Sequence, residues 1–142
     1  AAVLRVKLKH LDSWNQRRNV IASMYLEGLK DSELILPYIP EWAEPAWHLF
    51  VVRYEERDKL MSLLGELGIG TMIHYPVPPH KQVAYNNAQF AENNLPVAER
   101  MSRGVFSIPF GPHIKSKEAD SVINVSLELM AQFAQRDQHN RC

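Results

Sequence analysis

Two proline-rich segments divide this 142-residue chain and limit what can fold on either side of them. The first lies between Leu34 and Pro45, and the second runs from Pro76 to His80. Proline fixes its own φ, lacks an N–H donor and pushes the preceding residue towards extended geometry, so a regular helix cannot pass through either segment. Helices and strands are therefore expected before, between and after these two segments.

The region before the first proline segment predicts a long amphipathic helix over residues 1–30. Its apolar residues recur at steps of three, four or seven and so form one stripe along a helix. The stripe comprises Leu4, Leu8, Leu11, Trp14, Ile21, Tyr25 and Leu29. No capping residue or proline precedes it, so the chain is expected to start inside a helix, which removal of a tag, a natural cleavage or a fragment cut from a longer protein would each explain.

Residues 46–142 predict an α+β core. Trp47 to Tyr54 is rich in aromatic and β-branched residues, which favours a buried strand. A helix with a leucine face follows and ends at Gly68, and residues 69–75 predict a second strand. A strand, a helix and a strand within this short distance indicate a βαβ-like unit.

The last part of the chain completes a predicted three-stranded sheet with flanking helices. Asn93 and Asn94 precede a short helix, for which Asn94 is the expected cap. A third strand is predicted from Gly104 to Ile108, and Ser116 is expected to cap a final helix that runs to about Gln135. The chain is thus expected to form a single small domain over residues 1–142.

Composition excludes several classes of partner. The chain has 16 Lys and Arg against 16 Asp and Glu, so it lacks the basic field that nucleic acids and membrane surfaces attract. Its apolar stretches are much shorter than a membrane span. The single cysteine, Cys142, cannot form an internal disulfide, which favours a reducing compartment. We therefore expect a cytoplasmic protein with no nucleic-acid or membrane partner.

The most distinctive local motif is His74-Tyr75-Pro76-Val77-Pro78-Pro79-His80. A strand that ends in an imidazole and a phenol and then enters a stiff loop holds two hydrogen-bonding groups at a fixed place. Such a pair suits a polyol such as a sugar. The alternative is a capped strand end, in which Tyr75 packs and His74 bonds a backbone carbonyl.

Other chemistries find less support in the sequence. His74 and His80 lack a nearby carboxylate or thiolate that would complete a metal shell, so we predict no metal site. Ser107 lies outside any nucleophile motif, and Cys142 has no fixed base. The three tryptophans, Trp14, Trp42 and Trp47, are expected in the core or an interface. No catalytic residue is predicted.

Five blocks, in order, resemble the C-terminal part of the DegT/DnrJ-type sugar-nucleotide aminotransferases, which are pyridoxal-phosphate enzymes. They are residues 1–8 with 11–15 and 17–18; Trp47 to Arg53; Arg57-Asp58 through Gly68-Ile69; His74-Tyr75-Pro76; and Leu95 to Arg100 with Ser107-Ile108-Pro109. Their order and spacing extend over nearly the whole chain.

The resemblance implies the small domain of the aspartate-aminotransferase-like, fold type I architecture. The first helix would continue from a missing N-terminal large domain, and the parent would be a homodimer. His74 and Tyr75 fall on the motif that approaches the sugar of the substrate, which implies a substrate-binding role. His80 and Trp47 also match family patterns, with packing as their expected role.

The resemblance also implies what this chain lacks. The family's pyridoxal phosphate is anchored in the large domain, and no lysine here lies in the family's Schiff-base motif, so we predict no cofactor-binding residue. The parent would aminate a keto-deoxy-sugar nucleotide, with glutamate as donor. Two alternatives stay open, namely a sugar-nucleotide dehydratase of the same family and a free-standing, non-catalytic binding module.

Overall fold

A computed structural model describes the backbone of residues 1–85 and 94–139, with side chains described to residue 135. Five helices and two strands follow one another in an α+β arrangement. They are α1 (Ala2–Leu8), α2 (Leu11–Gly28), β1 (Phe50–Arg53), α3 (Arg57–Glu66), α4 (Pro96–Gly104), β2 (Val105–Ile108) and α5 (Ser116–His139). Two short 3₁₀ turns, Pro79–Lys81 and Val83–Tyr85, lie between α3 and α4. Cys142 and Asn93 lie outside the described residues.

The predicted single helix over residues 1–30 is two helices. The N–H groups of Lys9 and His10 bond three residues back, to Val6 and Lys7, which tightens the chain and ends α1. The His10 carbonyl then accepts the first bond of α2, from Trp14. No residue of α1 is buried, so no packing holds the two helices in line. The apolar stripe enters the core only in α2.

The sheet has two strands where three were predicted. β1 pairs antiparallel with β2, and residues 69–75, expected to form the second strand, contribute only an isolated bridge from Met72 to Ser107. The preceding helix cap accounts for part of this shortening. Gly68 has φ +79° and the N–H of Ile69 still bonds to Leu64 in a Schellman motif. Extended chain is therefore available only from residue 70 to the second proline-rich segment, Pro76 to His80, which we call the proline loop.

The βαβ-like prediction has the direction of the strands right and their adjacency wrong. Both β1 and the Met72 segment are antiparallel to β2, so they run in the same direction on its two sides. β2 thus lies between them, as in a split βαβ unit. On the outer edge of β1, Ile35 forms a further antiparallel bridge with Arg53.

Two predicted helix caps are shifted by one residue. Leu95, and not Asn94, precedes the first residue of α4, and its side chain makes no cap hydrogen bond. In α5, Ser116 is the first helical residue, and the N–H of Lys115 donates to Glu118 Oε2 at 2.7 Å. Glu118 therefore supplies the carboxylate half of a capping box.

The core lies where α2, α3 and α5 pack around the sheet. Its fully buried side chains include Tyr25, Phe50, Phe106, Ile21, Leu29, Leu60, Leu64 and Val52. Trp47 stacks on Phe50 with ring centroids 5.4 Å apart, which confirms its packing role. Trp42, in contrast, is 88% exposed and so lies outside the core, and its placement in an interface stays a prediction.

Candidate functional site

His74 and Tyr75 lie directly after the Met72 bridge, where the chain leaves the edge of β2. The imidazole of His74 is half-buried and its Nδ1 lies 2.9 Å from Ser107 Oγ. Tyr75 is 73% exposed, and its ring stands edge-on to that of His74 with centroids 5.7 Å apart. The alternative of a capped strand end is therefore wrong for both residues. His74 bonds a side-chain hydroxyl and not a backbone carbonyl, and Tyr75 is exposed and not packed.

These two residues line a cleft of about 320 Å³ between the proline loop and α4. The other lining residues are Val77, Pro78, Pro79, Gln82, Ala98, Met101, Ser102 and Val105. The walls are mainly apolar, while the imidazole and phenol provide polar groups. A few polar groups that converge in an apolar cleft are typical of small-molecule sites.

His80 anchors the far end of the proline loop. Its ring is buried, with 4% exposed, and Nε2 lies 3.2 Å from Glu99 Oε1 on α4. This hydrogen bond, assisted by the nearby charge of Lys81, lowers the pKa of the Glu99 carboxyl despite an opposing effect of desolvation. The predicted packing role of His80 is confirmed, and the hydrogen bond to α4 adds to it.

Arg57 was assigned no role from the sequence. It is a buried cation that contacts two residues lining the cleft. Its Nη1 donates to the carbonyl oxygen of Ser102 at 2.6 Å and lies 3.4 Å from that of Val105. Its Nε donates to Asp58 Oδ1 at 2.8 Å. The arginine therefore ties the start of α3 to the junction of α4 and β2, which forms one wall of the cleft.

Ser107 is the second residue that the sequence analysis missed. It was considered only as a nucleophile, and the structure instead places it against the candidate substrate-binding histidine. One signal was available, since Ser107 is the single polar residue of the strand Val105–Ile108. A buried hydroxyl in an apolar strand requires a partner, and nothing local in the sequence identifies which.

The lysines do not fit the anchor of pyridoxal phosphate. A Schiff-base lysine is normally desolvated, so that its amine loses a proton readily. All the lysines of the chain are exposed, namely Lys7, Lys9, Lys30, Lys59, Lys81, Lys115 and Lys117. Moreover, a hydrogen bond to Glu27 raises the pKa of Lys30, which is opposite to what a nucleophilic amine needs. These residues thus offer no place for the cofactor.

Two absences hold for residues 1–85 and 94–139. No group of three or more histidine, cysteine, aspartate or glutamate side chains is arranged to hold a metal ion. In the same residues, no helix combines the length and the apolar character needed to cross a membrane.

Comparison with known proteins places the chain in a family. Residues 1–126 match the DegT/DnrJ/EryC1/StrS aminotransferase family. The erythromycin biosynthesis sensory transduction protein EryC1 of Saccharopolyspora erythraea is 48% identical over 124 residues, which cover 87% of this chain and 34% of the relative. The dTDP-3-amino-3,4,6-trideoxy-alpha-D-glucose transaminase of Streptomyces venezuelae is also 48% identical, over 90% of this chain and 34% of that enzyme.

Comparison with solved structures points to the same family. The crystal structure of S. venezuelae DesV in complex with a ketimine intermediate superposes with a TM-score of 0.86 at 46% identity, covering 91% of this chain and 35% of that structure. The chain thus spans about a third of the length of the proteins it matches. On the match over residues 1–126, this chain belongs to the DegT/DnrJ/EryC1/StrS aminotransferase family.

Proposed function

We propose that this chain is the small domain of a pyridoxal-phosphate-dependent aminotransferase of fold type I that aminates a keto-deoxy-sugar nucleotide, with glutamate as amino donor. Family membership supports the reaction class. A relative named as a transaminase of a dTDP-linked amino sugar supports the substrate class. In this proposal the chain provides the substrate side of the active site.

The observation that carries the proposal is the pair of ring side chains that line the cleft. His74 is held by Ser107, while Tyr75 is exposed. An imidazole N–H can donate to a hydroxyl of a sugar ring, and a phenol can donate to or accept from a neighbouring one. Because the proline loop is tied to α4 through His80, the pair meets a substrate in a fixed geometry, which lowers the entropic cost of orienting it.

The cofactor would be held by the rest of a longer parent protein. Pyridoxal phosphate supplies the electron sink for transamination when it is bound, and the exposed lysines described above do not anchor it. We therefore assign the Schiff-base lysine to an N-terminal large domain. We also propose a homodimeric parent, as the family resemblance implies.

A chimera tests the proposed role directly. The third of the S. venezuelae transaminase that matches this chain is replaced by this chain, and transamination is measured with pyridoxal phosphate. We expect activity, and we expect His74→Gln and Tyr75→Phe each to lower kcat/KM by about tenfold, as the loss of one substrate hydrogen bond predicts. His113→Gln and Tyr38→Phe alter exposed residues outside the cleft and serve as matched controls.

Three outcomes would contradict parts of the proposal. A folded chimera with no activity would contradict the function proposed for the domain, and equal losses in the control variants would contradict substrate binding by His74 and Tyr75. The chain alone, treated with pyridoxal phosphate and borohydride, is expected to give no adduct at a specific lysine. A stable adduct at one lysine would overturn the assignment of the cofactor to another part of the parent.

The exposure of every lysine agrees equally with a second candidate, a free-standing sugar-nucleotide binding module. Titration of the isolated chain with a dTDP-linked deoxyhexose distinguishes the two. Saturable binding without cofactor, together with an inactive chimera, would indicate a module. An active chimera whose isolated small domain does not bind would indicate a domain that depends on its parent.

A further inference from the structure

Ser107 is held by strand pairing on both of its sides, next to the cleft. It lies in β2 opposite Val51 of β1, and on its other side it exchanges two hydrogen bonds with Met72. The Ser107 N–H donates to the Met72 carbonyl at 2.7 Å, and the Met72 N–H donates to the Ser107 carbonyl at 3.2 Å. The residue is 5% exposed. Its side chain therefore has little freedom to move with respect to His74, two residues beyond Met72.

The hydroxyl of Ser107 has one hydrogen to donate and one neighbour to receive it. Oγ lies 2.9 Å from His74 Nδ1, and within the part of the chain that the structure describes it has no other hydrogen-bond partner. If Nδ1 carried the proton, it would donate to Oγ and leave the hydroxyl hydrogen buried without an acceptor. Buried polar hydrogens without an acceptor are disfavoured, so the hydroxyl is the donor.

The direction of this bond determines the tautomer of the imidazole. A neutral histidine carries one ring hydrogen, and a ring nitrogen that accepts a hydrogen bond cannot hold it. With Nδ1 as acceptor, the proton is on Nε2. Among the described residues, Nε2 of His74 makes no hydrogen bond, and the ring borders the cleft. The group left for a ligand is therefore an N–H donor.

We infer that Ser107 is a positioning residue that holds neutral His74 as the Nε2–H tautomer, so that the cleft offers a hydrogen-bond donor to an oxygen acceptor on its ligand. The identification of that ligand as the sugar of a nucleotide substrate rests on the function proposed above. A keto oxygen or a ring hydroxyl can accept from this donor, and an ammonium group cannot. The tautomer thus favours the keto form of the sugar over the amino form at this position.

The tautomer can be measured in the unliganded full chain. A sample labelled with ¹⁵N in its histidines is studied by NMR at mildly alkaline pH, which favours the neutral imidazole. The His74 signals are identified by their loss in His74→Gln. We expect a pyridine-type Nδ1 and a pyrrole-type Nε2. The reverse pattern would overturn the inference, whatever the variants do.

Variants test whether Ser107 is the cause. In Ser107→Ala no hydroxyl selects the tautomer, so the two ring-nitrogen resonances should move together and their separation should shrink. Ser107→Thr keeps a hydroxyl and should restore the separation. Ser126→Ala is the matched control, because it removes a buried hydroxyl that donates to the Val122 carbonyl at 2.7 Å and does not contact His74.

The outcomes separate this inference from the proposed function. Unchanged His74 resonances in Ser107→Ala, or equal changes in Ser126→Ala, would refute the positioning role. If Ser107→Ala does not fold, the wild-type pattern alone decides the direction of the bond. None of these measurements involves a sugar nucleotide. A chimera without activity would therefore contradict the proposed function and leave the tautomer result intact.

Discussion

Replacing Arg57 by methionine should destabilise the chain far more than removing its acidic neighbour. Methionine keeps much of the aliphatic volume and removes the guanidinium. The 2.6 Å bond to the Ser102 carbonyl is charge-assisted and shielded from water, since the arginine side chain is 10% exposed. Hydrogen bonds of this kind contribute about 1.5–3 kcal/mol each. The longer contact with Val105, at 3.4 Å, adds less. We expect a loss of about 3 kcal/mol in the free energy of unfolding.

The control is Asp58→Asn. Asp58 is 82% exposed, and a surface ion pair contributes about 0–1 kcal/mol. Its carboxylate also lies in the first turn of α3, where interaction with the helix dipole adds a few tenths of a kcal/mol. We therefore expect a loss of at most about 1 kcal/mol for this variant.

Urea unfolding followed by far-ultraviolet circular dichroism measures both variants. Equal slopes with a midpoint shifted mainly in Arg57→Met would agree with a stability change in a common native state. Arg57→Lys keeps the charge but lacks the planar fork, so its stability should lie between those of wild type and Arg57→Met. If Arg57→Met and Asp58→Asn lose the same amount of stability, the arginine contributes only a surface ion pair, and its role in tying α3 to the junction of α4 and β2 is wrong.

Two further substitutions test the core, and a third serves as a control. Burial raises the pKa of Tyr25 from 10.0 to about 12. The phenol therefore stays protonated to a higher pH in the folded chain than in the unfolded chain. The stability that this difference contributes is present below pH 10 and is lost as pH rises towards 12. Tyr25→Phe, which frees the Pro109 carbonyl, should cost about 1 kcal/mol at neutral pH. That deficit should narrow above pH 10 in parallel unfolding curves, and a constant deficit would contradict the burial effect. Gly28→Ala would place Cβ 2.8 Å from Ile123 Cδ1 and should destabilise by about 1–3 kcal/mol. In Gly65→Ala the new methyl group meets no atom within 4 Å, so thermal unfolding should show a gain in stability of about 0.5–1 kcal/mol. If Gly28→Ala and Gly65→Ala changed the stability with the same sign, the packing assigned to these two glycines would be wrong.

Local signals in the sequence predicted the ends of elements well. Gly68 was expected to end a helix, and it adopts the left-handed conformation with a Schellman cap after α3. Pro109 was expected to end a strand, and β2 ends at Ile108. These signals succeed because a proline or glycine acts on its own backbone, so its effect can be deduced without knowledge of the fold.

Contacts between distant parts of the chain could not be predicted in this way. His74 meets Ser107 across 33 positions, and Arg57 meets Ser102 across 45. The pairing of the Met72 segment depends on which edge of β2 is free, which no period in the sequence indicates. The family resemblance pointed to His74 and Tyr75, while the residues that hold the cleft in place emerged only from the packing.

The exposure of α1 has a consequence for the dynamics of the chain. This helix has seven residues and none of them is buried, whereas isolated helices shorter than about 12 residues are marginal in water. Its amide hydrogens should therefore exchange with solvent almost as fast as those of an unfolded peptide. Strong protection should begin only in α2, near the buried Ile21. The cooperative folding unit thus starts inside the second helix, and the first can bend, fray or realign without loss of stability elsewhere.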